Sequence, residues 1–552
     1  MQKVLTAEQM REVDRLTTER YGIPSILLME NAAHAVARVI TEKLGGSVNG
    51  KSILVLCGKG NNGGDGASLA LKLALAGASV EVILFGKISE VKGDARANFD
   101  AAGHSVDWIR EFESRVEWDE WLYRSRQGWD VVVDAIFGTG LSRPLDIWLG
   151  NIIRHINILS EGEHDPARLT VSVDLPSGLG SNVGAIIGES IQADLTVTFT
   201  APKPANVLAP ASSFNGELFI EDIGSPQELV NEFESLLFLA EHDDALNWFI
   251  DSYFNHDSYK NKRGQALVIA GSDSYSGAAV LCGNAAMRSG VGLVTIVTPR
   301  SSRDSVSSRV LPEVMVRGVS ETEGGAIGEG AFAEIGDLLG KADAVAIGSG
   351  ISQNESTRRF VISVVENRTQ PVIIDADALN LLSPASTKWP SAHARGSDLI
   401  LTPHEGEFMR LLGETKNHPV GERPPPLLGK EGSLKEDRVA DVRDFAVKHN
   451  VILVLKGERV LIGCPDGRVV VNPTGNSGLG KAGNGDTLTG ILAGFVAQAV
   501  KFEIDIFETV VAAVYVAGMA GDVAEKKYGK RVMTASDVRE CLADVFAEFE
   551  SK

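Results

Sequence analysis

Between Asn472 and Ala499 the chain reads NPTGNSGLGKAGNGDTLTGILAGFVAQA. Gly475, Gly478, Gly480, Gly483 and Gly485 fall within eleven residues. Glycine lets a backbone approach a phosphate closely and adopt positive φ. Leu488, Ile491, Leu492, Phe495 and Val496 then follow the i, i+3, i+4, i+7, i+8 spacing of one buried helix face. A helix start carries unpaired N–H groups and a positive dipole end, so it suits an anion. Asp486 stands at that junction, where a carboxylate would repel a phosphate unless it does chemistry. Two readings follow. Asp486 is a base that takes a proton from a hydroxyl as its oxygen attacks a phosphoryl group, or it is an N-cap.

The first half repeats the theme of a glycine loop between a strand and a helix. Ile53–Cys57 is an apolar strand running into GKGNNGGDG (58–66), and Leu69, Leu73 and Ala76 mark a packed helix face behind it. Strand, glycine loop, helix is the layout of a phosphate-binding turn in a doubly wound sheet. The spacing is not G-x-G-x-x-G, and no Walker lysine follows. Asn61, Asn62 and Asp65 add carbonyl and carboxylate oxygens, which suit a cation or a ribose as well as a phosphate. Val80–Phe85 is a further strand. Val131–Val133 ends in DAIFGTGLSRP (134–144), and Thr170–Val173 ends in DLPSG (174–178). Ligands of open α/β sheets bind beyond such strand ends, so Asp65, Asp134 and Asp174 together mark a site. Leu195–Phe199 leads to APKPAN, read as an exit loop. Ahead of all this, Thr6 to Ile40 reads as two helices, with Thr6 and Gln9 as a capping-box start. Glu30 and Asn31 in the second are read as structural polar groups.

The second half also alternates strands and helices, the pattern of a parallel sheet covered on both faces. Residues 261–299 form a βαβ unit. Ala344–Gly348 ends in GSG, Val372–Ile374 leads to DADALN (375–380), Asp398–Leu401 to TPHEGEF (402–408), and Val451–Leu455 to KGERVLI (456–462). His404 lies in a strand-end loop, where a ligand contact and a structural role compete. With no H-E-x-x-H helix and no cysteine partner, it is not read as zinc-binding.

A chain of 552 residues needs two large domains or more. With 44% hydrophobic and 23% charged residues it is globular in composition, and a net charge of −20 argues against nucleic-acid or membrane-surface binding. An anionic ligand must then be held by local donors. Cys57, Cys282, Cys464 and Cys541 lack metal or disulfide spacing, which fits free thiols in a reducing compartment. No apolar signal core and no run of eighteen apolar residues is visible, so a cytoplasmic protein is expected. Residues 1–226 and 256–552 are read as domains and 227–255 as an acidic connector with some helix of its own. HPVGERPPPLLGKEGSLKED (418–437) is read as a mobile surface insertion.

GKGNNGGDG, DAIFGTGLSRP and VDLPSG, in that order after LLMENAA, resemble the NAD(P)H-hydrate epimerase family. The resemblance implies a Rossmann-like domain with potassium held by Asn62, Asp134 and Ser177. It implies contacts to a hydrated dinucleotide from Asn61, Asn62, Gly63, Gly64 and Asp65, from Gly138, Thr139, Gly140, Leu141, Ser142, Arg143 and Pro144, and from Asp174. Asp174 is the expected proton-transfer residue. GSDSYSGAA, PEVM, IGSG, DADALN, LTPHEGE, LKG and GNSGLGKAGNGDTLTG resemble the ADP- or ATP-dependent NAD(P)H-hydrate dehydratase family. That implies a ribokinase-like domain in which Ala278, Gly350, His404 and Asp486 touch the hydrated dinucleotide. Lys456, Gly457, Glu458, Arg459, Val460 and Gly485 would hold ADP or ATP, with magnesium assisting. Asn484 and Lys481 depart from the family pattern. Both are expected to keep a donor near the phosphates.

Together the halves read as a repair enzyme for hydrated NADH and NADPH, one half interconverting the hydroxyl epimers and the other dehydrating one of them. A competing reading is a ribokinase-type small-molecule kinase fused to a dinucleotide-binding module. A third makes the first half a non-catalytic dinucleotide sensor. Partners are expected to be small molecules, and assembly as a homo-oligomer stays open.

Overall fold

The computed structural model describes residues 1–124, 128–141, 143–161, 168–385, 398–413 and 437–551. Ser142 and the expected insertion, apart from Asp437, lie outside the described residues. Contacts divide the described chain into a unit spanning Gln2–Ser235 and one spanning Leu236–Lys552. The segment read as a connector carries helix, as expected, and a strand besides. Helix Gln227–Glu232 belongs to the first unit, and strand Leu237–Leu239 and helix His242–Asp251 to the second.

In the first unit the sheet order is Trp108–Phe112, Ser79–Phe85, Ser52–Cys57, Val131–Ala135, Leu169–Val173, Leu195–Phe199 and Glu217–Glu221, with every pairing parallel. Its central strands are buried on both faces. Ile53, Val55, Val80 and Val82 pack on one side, and Leu54, Leu56 and Ile83 pack with Trp118 and Trp121 on the other. The two edge strands do not stand out as apolar runs because each is only partly buried, with little hydrophobic patterning to read. Thr6 caps helix Ala7–Tyr21 through the expected capping box with Gln9. Glu30 accepts hydrogen bonds from Ser68 and Lys72, and Asn31 donates to Ile223 O (2.7 Å), as expected of structural groups.

The second unit carries a sheet in the order Leu237–Leu239, Val469–Asn472, Val460–Gly463, Ile452–Leu455, Leu399–Leu401, Val372–Ile374, Ala344–Ile347, Gln265–Ile269, Leu293–Pro299 and Met315–Val319. It is parallel except at Val460–Gly463, which runs antiparallel to both neighbours. The short links on either side of that strand explain the reversal, since a parallel crossover needs a dozen or more residues. Helix Asn484–Phe502 is buried almost all round and not along one stripe, and Leu488, expected in the stripe, is only partly buried. It lies between helices Ser276–Arg288 and Ile506–Tyr528 and the sheet. Glycine permits the approach: a Cβ at Gly490 would sit 2.1 Å from Cys282 O. Helix Ile506–Tyr528, of mean hydropathy 1.5, has the length and composition to cross a membrane. Here it is a core helix with Val510, Val511, Val514 and Val516 buried.

Candidate active sites

In the second unit the strand ends converge on Asp375. Its Oδ1 accepts from Lys456 Nζ (2.7 Å) and Thr402 Oγ1 (2.8 Å), and its Oδ2 from Thr489 Oγ1 (2.9 Å). The carboxylate is 2% exposed, so without these donors its charge would be prohibitively costly. Burial acts to lower the Lys456 pKa, but Asp375 and Glu407 outweigh it and keep the ammonium charged. Gly485 lies directly over this pair. A Cβ there would be 3.5 Å from Lys456 Nζ and 3.8 Å from Asp375 Oδ2.

Gly483, at φ +92°, is the N-cap of the following helix, so Asp486 is not the cap but sits within the first turn. Burial first, and then the charge of Asp375, push Asp486 up to about 6, against the opposing pull of the Ser349 hydroxyl and Lys456. A carboxylate poised near neutral pH is suited to accept a proton. The residue after Ser349 is Gly350, at φ +65°, whose Cβ would meet Tyr275 Cβ and Ala278 Cβ below 3.0 Å. An open cleft of about 490 Å³ is lined there by Tyr275, Gly350, Ser352, Gln353 and Asp377. Asp377 fixes the cleft wall by accepting from Ser352 N (2.9 Å) and Gln353 Nε2 (2.8 Å).

The structure thus gathers Lys456, Gly485 and Asp486, and places Ala278 against Gly350 beside them. His404 joins through a bridge to Lys456, yet it also serves as N-cap of helix Glu405–Leu411, with Nδ1 accepting from Glu407 N (3.3 Å). Arg459 is committed to Pro473 O, Glu458 and Gly457 are exposed, and Val460 opens a strand. Lys481 and Asn484 differ from expectation. Lys481 Nζ donates to Met533 O (2.9 Å) and Arg531 O, and Asn484 Nδ2 to Leu479 O (3.0 Å), so their donors hold the loop and not a phosphate. Asp375, Asp377, Thr402 and Thr489 were not singled out. The only signal for Asp375 was its place at a strand end.

In the first unit the segment expected as a loop is already helix, running Asn61–Leu75. Its glycines serve close packing. A Cβ at Gly63 would meet Gly58 O at 1.8 Å, and one at Gly66 would meet Ala135 Cβ at 2.6 Å. Asp134 is buried, and burial raises its pKa against the donors it accepts. Those are Ser177 Oγ (2.5 Å), Ser177 N (2.7 Å), Ser172 Oγ (3.0 Å) and Ile136 N (3.3 Å). Asn62 has both side-chain polar atoms buried without a partner among the described residues. Gly138 is where these residues meet Asp174, since its Cβ would lie 2.9 Å from Asp174 Oδ2 and 3.1 Å from Asn62 Oδ1. Thr139 O accepts from Ser181 Oγ (3.4 Å), Leu141 is buried, and Gly140, Arg143 and Pro144 are exposed.

Asp174 holds φ +67°, a region that costs a non-glycine residue ~1–3 kcal/mol and clusters at functional sites. Its Oδ1 accepts from Lys203 Nζ (2.7 Å) and Thr198 Oγ1 (3.1 Å). Lys203 was read merely as part of an exit loop, and nothing in its local sequence distinguishes it from a surface lysine. Its burial, at 2% exposure, is a tertiary fact. Among the described residues no group of three His, Cys, Asp or Glu has metal-holding geometry.

Comparison with known proteins follows the same division. The family model described as NAD(P)H-hydrate dehydratase matches residues 266–543, and the one described as YjeF-related protein N-terminus matches 25–205. A bifunctional NAD(P)H-hydrate repair enzyme of Moorella thermoacetica is 35% identical, with 100% of this chain and 97% of that protein covered. The chain belongs to this family of bifunctional NAD(P)H-hydrate repair enzymes. The repair enzyme of Thermofilum pendens is 33% identical over 97% of this chain and 94% of its own. The ADP/ATP-dependent NAD(P)H-hydrate dehydratase of Bacillus subtilis, co-crystallised with ATP and Mg2+, is 31% identical over 54% of this chain and 94% of that one, with a TM-score of 0.43. The dehydratase match contains Asp375, Lys456 and Asp486, and the other contains Asp65, Asp134, Asp174 and Lys203.

Proposed function

We propose that this chain returns hydrated NADH and NADPH to their working form, with the first unit interconverting the R and S hydrates and the second dehydrating the S hydrate at the expense of ADP or ATP. The observation that carries the reading is Asp486, a half-buried carboxylate beside Gly485, Lys456 and the cleft at Tyr275 and Gly350. The hydrate bears a hydroxyl on the carbon next to the ring nitrogen, and hydroxide is a poor leaving group. Asp486 takes the hydroxyl proton as the oxygen attacks the terminal phosphoryl group. Phosphate then departs with the C–O bonding electrons, and loss of a neighbouring C–H proton restores the ring double bond. Lys456 and the loop amides offset the charge that develops during transfer. Magnesium would be carried chiefly by the nucleotide phosphates, as it keeps few protein ligands in such sites.

Asn62, Asp134 and Ser177 offer oxygens of the kind that suits potassium; Asn62 Oδ1 has no partner among the described residues, and Asp134 and Ser177 would share oxygens now bonded to each other. The ion would supply positive charge for the dinucleotide phosphates. Four buried free cysteines fit a cytoplasmic setting. The test supplies the S hydrate, magnesium and either nucleotide, and follows free phosphate against dihydronicotinamide absorbance. Equal release supports the reading. A stable phosphorylated product without free phosphate would favour the small-molecule kinase.

A further inference from the structure

The first unit gathers more acid than one proton acceptor needs. Asp174 has one oxygen committed and one open. Oδ1 takes Lys203 and Thr198, while Oδ2 has no partner among the described residues and faces the space beside Gly138. Lys203 has nothing left to offer a substrate. Its three ammonium hydrogens meet three acceptors: Asp174 Oδ1 at 2.7 Å, Thr198 Oγ1 at 2.9 Å and Phe199 O at 3.3 Å. It is a positioning residue for Asp174.

Two further carboxyls lie within electrostatic reach of this pair. Asp65 lies three residues after Asn62 on helix Asn61–Leu75, so both project from one side of it. Its side chain makes no hydrogen bond or ion pair among the described residues, and it is half-buried. Asp14, on helix Ala7–Tyr21, has its Oδ1 buried with no partner among the described residues. Asp14 and Asp65 thus feel the charges of this pair without bonding to it, and a carboxyl so placed near like charge is held in its neutral form. Burial, followed by the charges of Asp174 and Asp14, holds Asp65 well above the usual carboxylate range. Burial similarly pushes Asp14 up to about 6. Asp174 alone of the three has an ammonium, that of Lys203, in hydrogen-bonding contact among the described residues, and its Oδ2 is left open.

We propose that Asp65 and Asp174 form an acid–base pair that epimerises the hydrate by replacing its hydroxyl with one from water. The proposal rests on epimerisation belonging to the first unit. Asp65 gives its proton to the hydroxyl, and the C–O bond breaks with both electrons on oxygen, so water leaves. The ring nitrogen lone pair closes a C=N bond, and the reacting carbon becomes planar. A second water adds to the opposite face and its spare proton passes to Asp174, while the C=N electrons return to nitrogen. The carboxyls finish with protonation exchanged. Solvent resets them, or the opposite epimer runs the sequence backward.

The experiment runs the unaltered full chain in heavy-oxygen, deuterated water with one pure hydrate epimer, without nucleotide. The expected result is one heavy oxygen gained per epimerisation and no deuterium at the hydroxyl-bearing carbon. Epimerisation without heavy-oxygen uptake, or with deuterium at that carbon, would overturn the proposal. No epimerisation at all would overturn the assignment of the activity itself, and the proposal with it. Asp65→Asn is expected to lower epimerisation kcat at least ~100-fold with KM little changed, and Asp65→Glu to restore part of it. A kcat for Asp65→Asn within threefold of the unaltered chain also overturns the proposal. Lys203→Met should lower kcat with KM little changed, because Asp174 loses the donor that orients it, and Lys203→Arg should restore part of kcat. A rise in KM with kcat unchanged contradicts the positioning role.

Discussion

Lys456 reaches Asp375 at 2.7 Å directly beneath Gly485, one residue before the candidate base Asp486. A buried carboxylate stripped of its ammonium is left with an uncompensated charge, which costs about 3–5 kcal/mol. Lys456→Met is therefore expected to lower the melting temperature of the second unit and to abolish dehydration. Lys456→Met with Asp375→Asn removes both charges and should recover most of the stability without the activity. Thermal denaturation alongside phosphate release separates the two effects. If the double variant were active, Lys456 would be only structural.

Dehydration should fall with pH through the titration of Asp486. The base must be ionised, and burial raises its pKa to about 6. Activity is then expected to be full above about 7 and to drop tenfold per pH unit well below 6. The sign for stability is opposite. A carboxyl raised in the folded state contributes stability below its unfolded value near 3.8, and that contribution is lost as pH rises through about 6. Asp486→Asn should thus lower kcat by ~100-fold or more while raising the melting temperature at neutral pH. A rate that stays flat from pH 7 to 4.5 would remove Asp486 from the proton-transfer role.

Gly138→Ala places a methyl 2.9 Å from Asp174 Oδ2 and 3.1 Å from Asn62 Oδ1. Epimerisation is expected to collapse while dehydration of the S hydrate continues. Rates for each epimer, measured separately on the variant, decide it.

Asn62→Ala should abolish any stimulation of epimerisation by potassium, since it removes the buried, unpartnered carbonyl oxygen. A titration with potassium against a sodium control checks this. Stimulation equal to that of the unaltered chain would place the ion elsewhere.

Lys481→Met should change nucleotide KM less than about threefold, because its ammonium is spent on the carbonyls of Arg531 and Met533. A large rise in KM would mean that Lys481 turns to the phosphates when they bind.

The motifs at strand ends were legible because they combine an apolar run with glycine and acid at a fixed place. Asp486, Gly485 and Lys456 are gathered as the sequence order implied, and so are Asn62, Gly138 and Asp174. What escaped was tertiary. Lys203 and Asp375 gain meaning only from burial, and Asp14 comes from a helix whose face carries no motif. Strand Glu217–Glu221 lies at a sheet edge, where half-exposure erases the apolar signal. The segment 61–66 was read as a loop because glycine usually breaks helices. Here it lets a helix press onto the strand beneath it.

The central claim is that two sites in one chain act in series on the two epimers. The most direct measurement follows recovery of dihydronicotinamide absorbance from an equal mixture of R and S hydrates, with magnesium, potassium and the active nucleotide. The unaltered chain should recover all of it. Asp174→Ala should stall once the S hydrate is consumed, beyond the slow uncatalysed interconversion. Adding Asp486→Asn protein, whose first unit is intact, should carry the reaction to completion. Full recovery by Asp174→Ala alone at the unaltered rate would contradict the account.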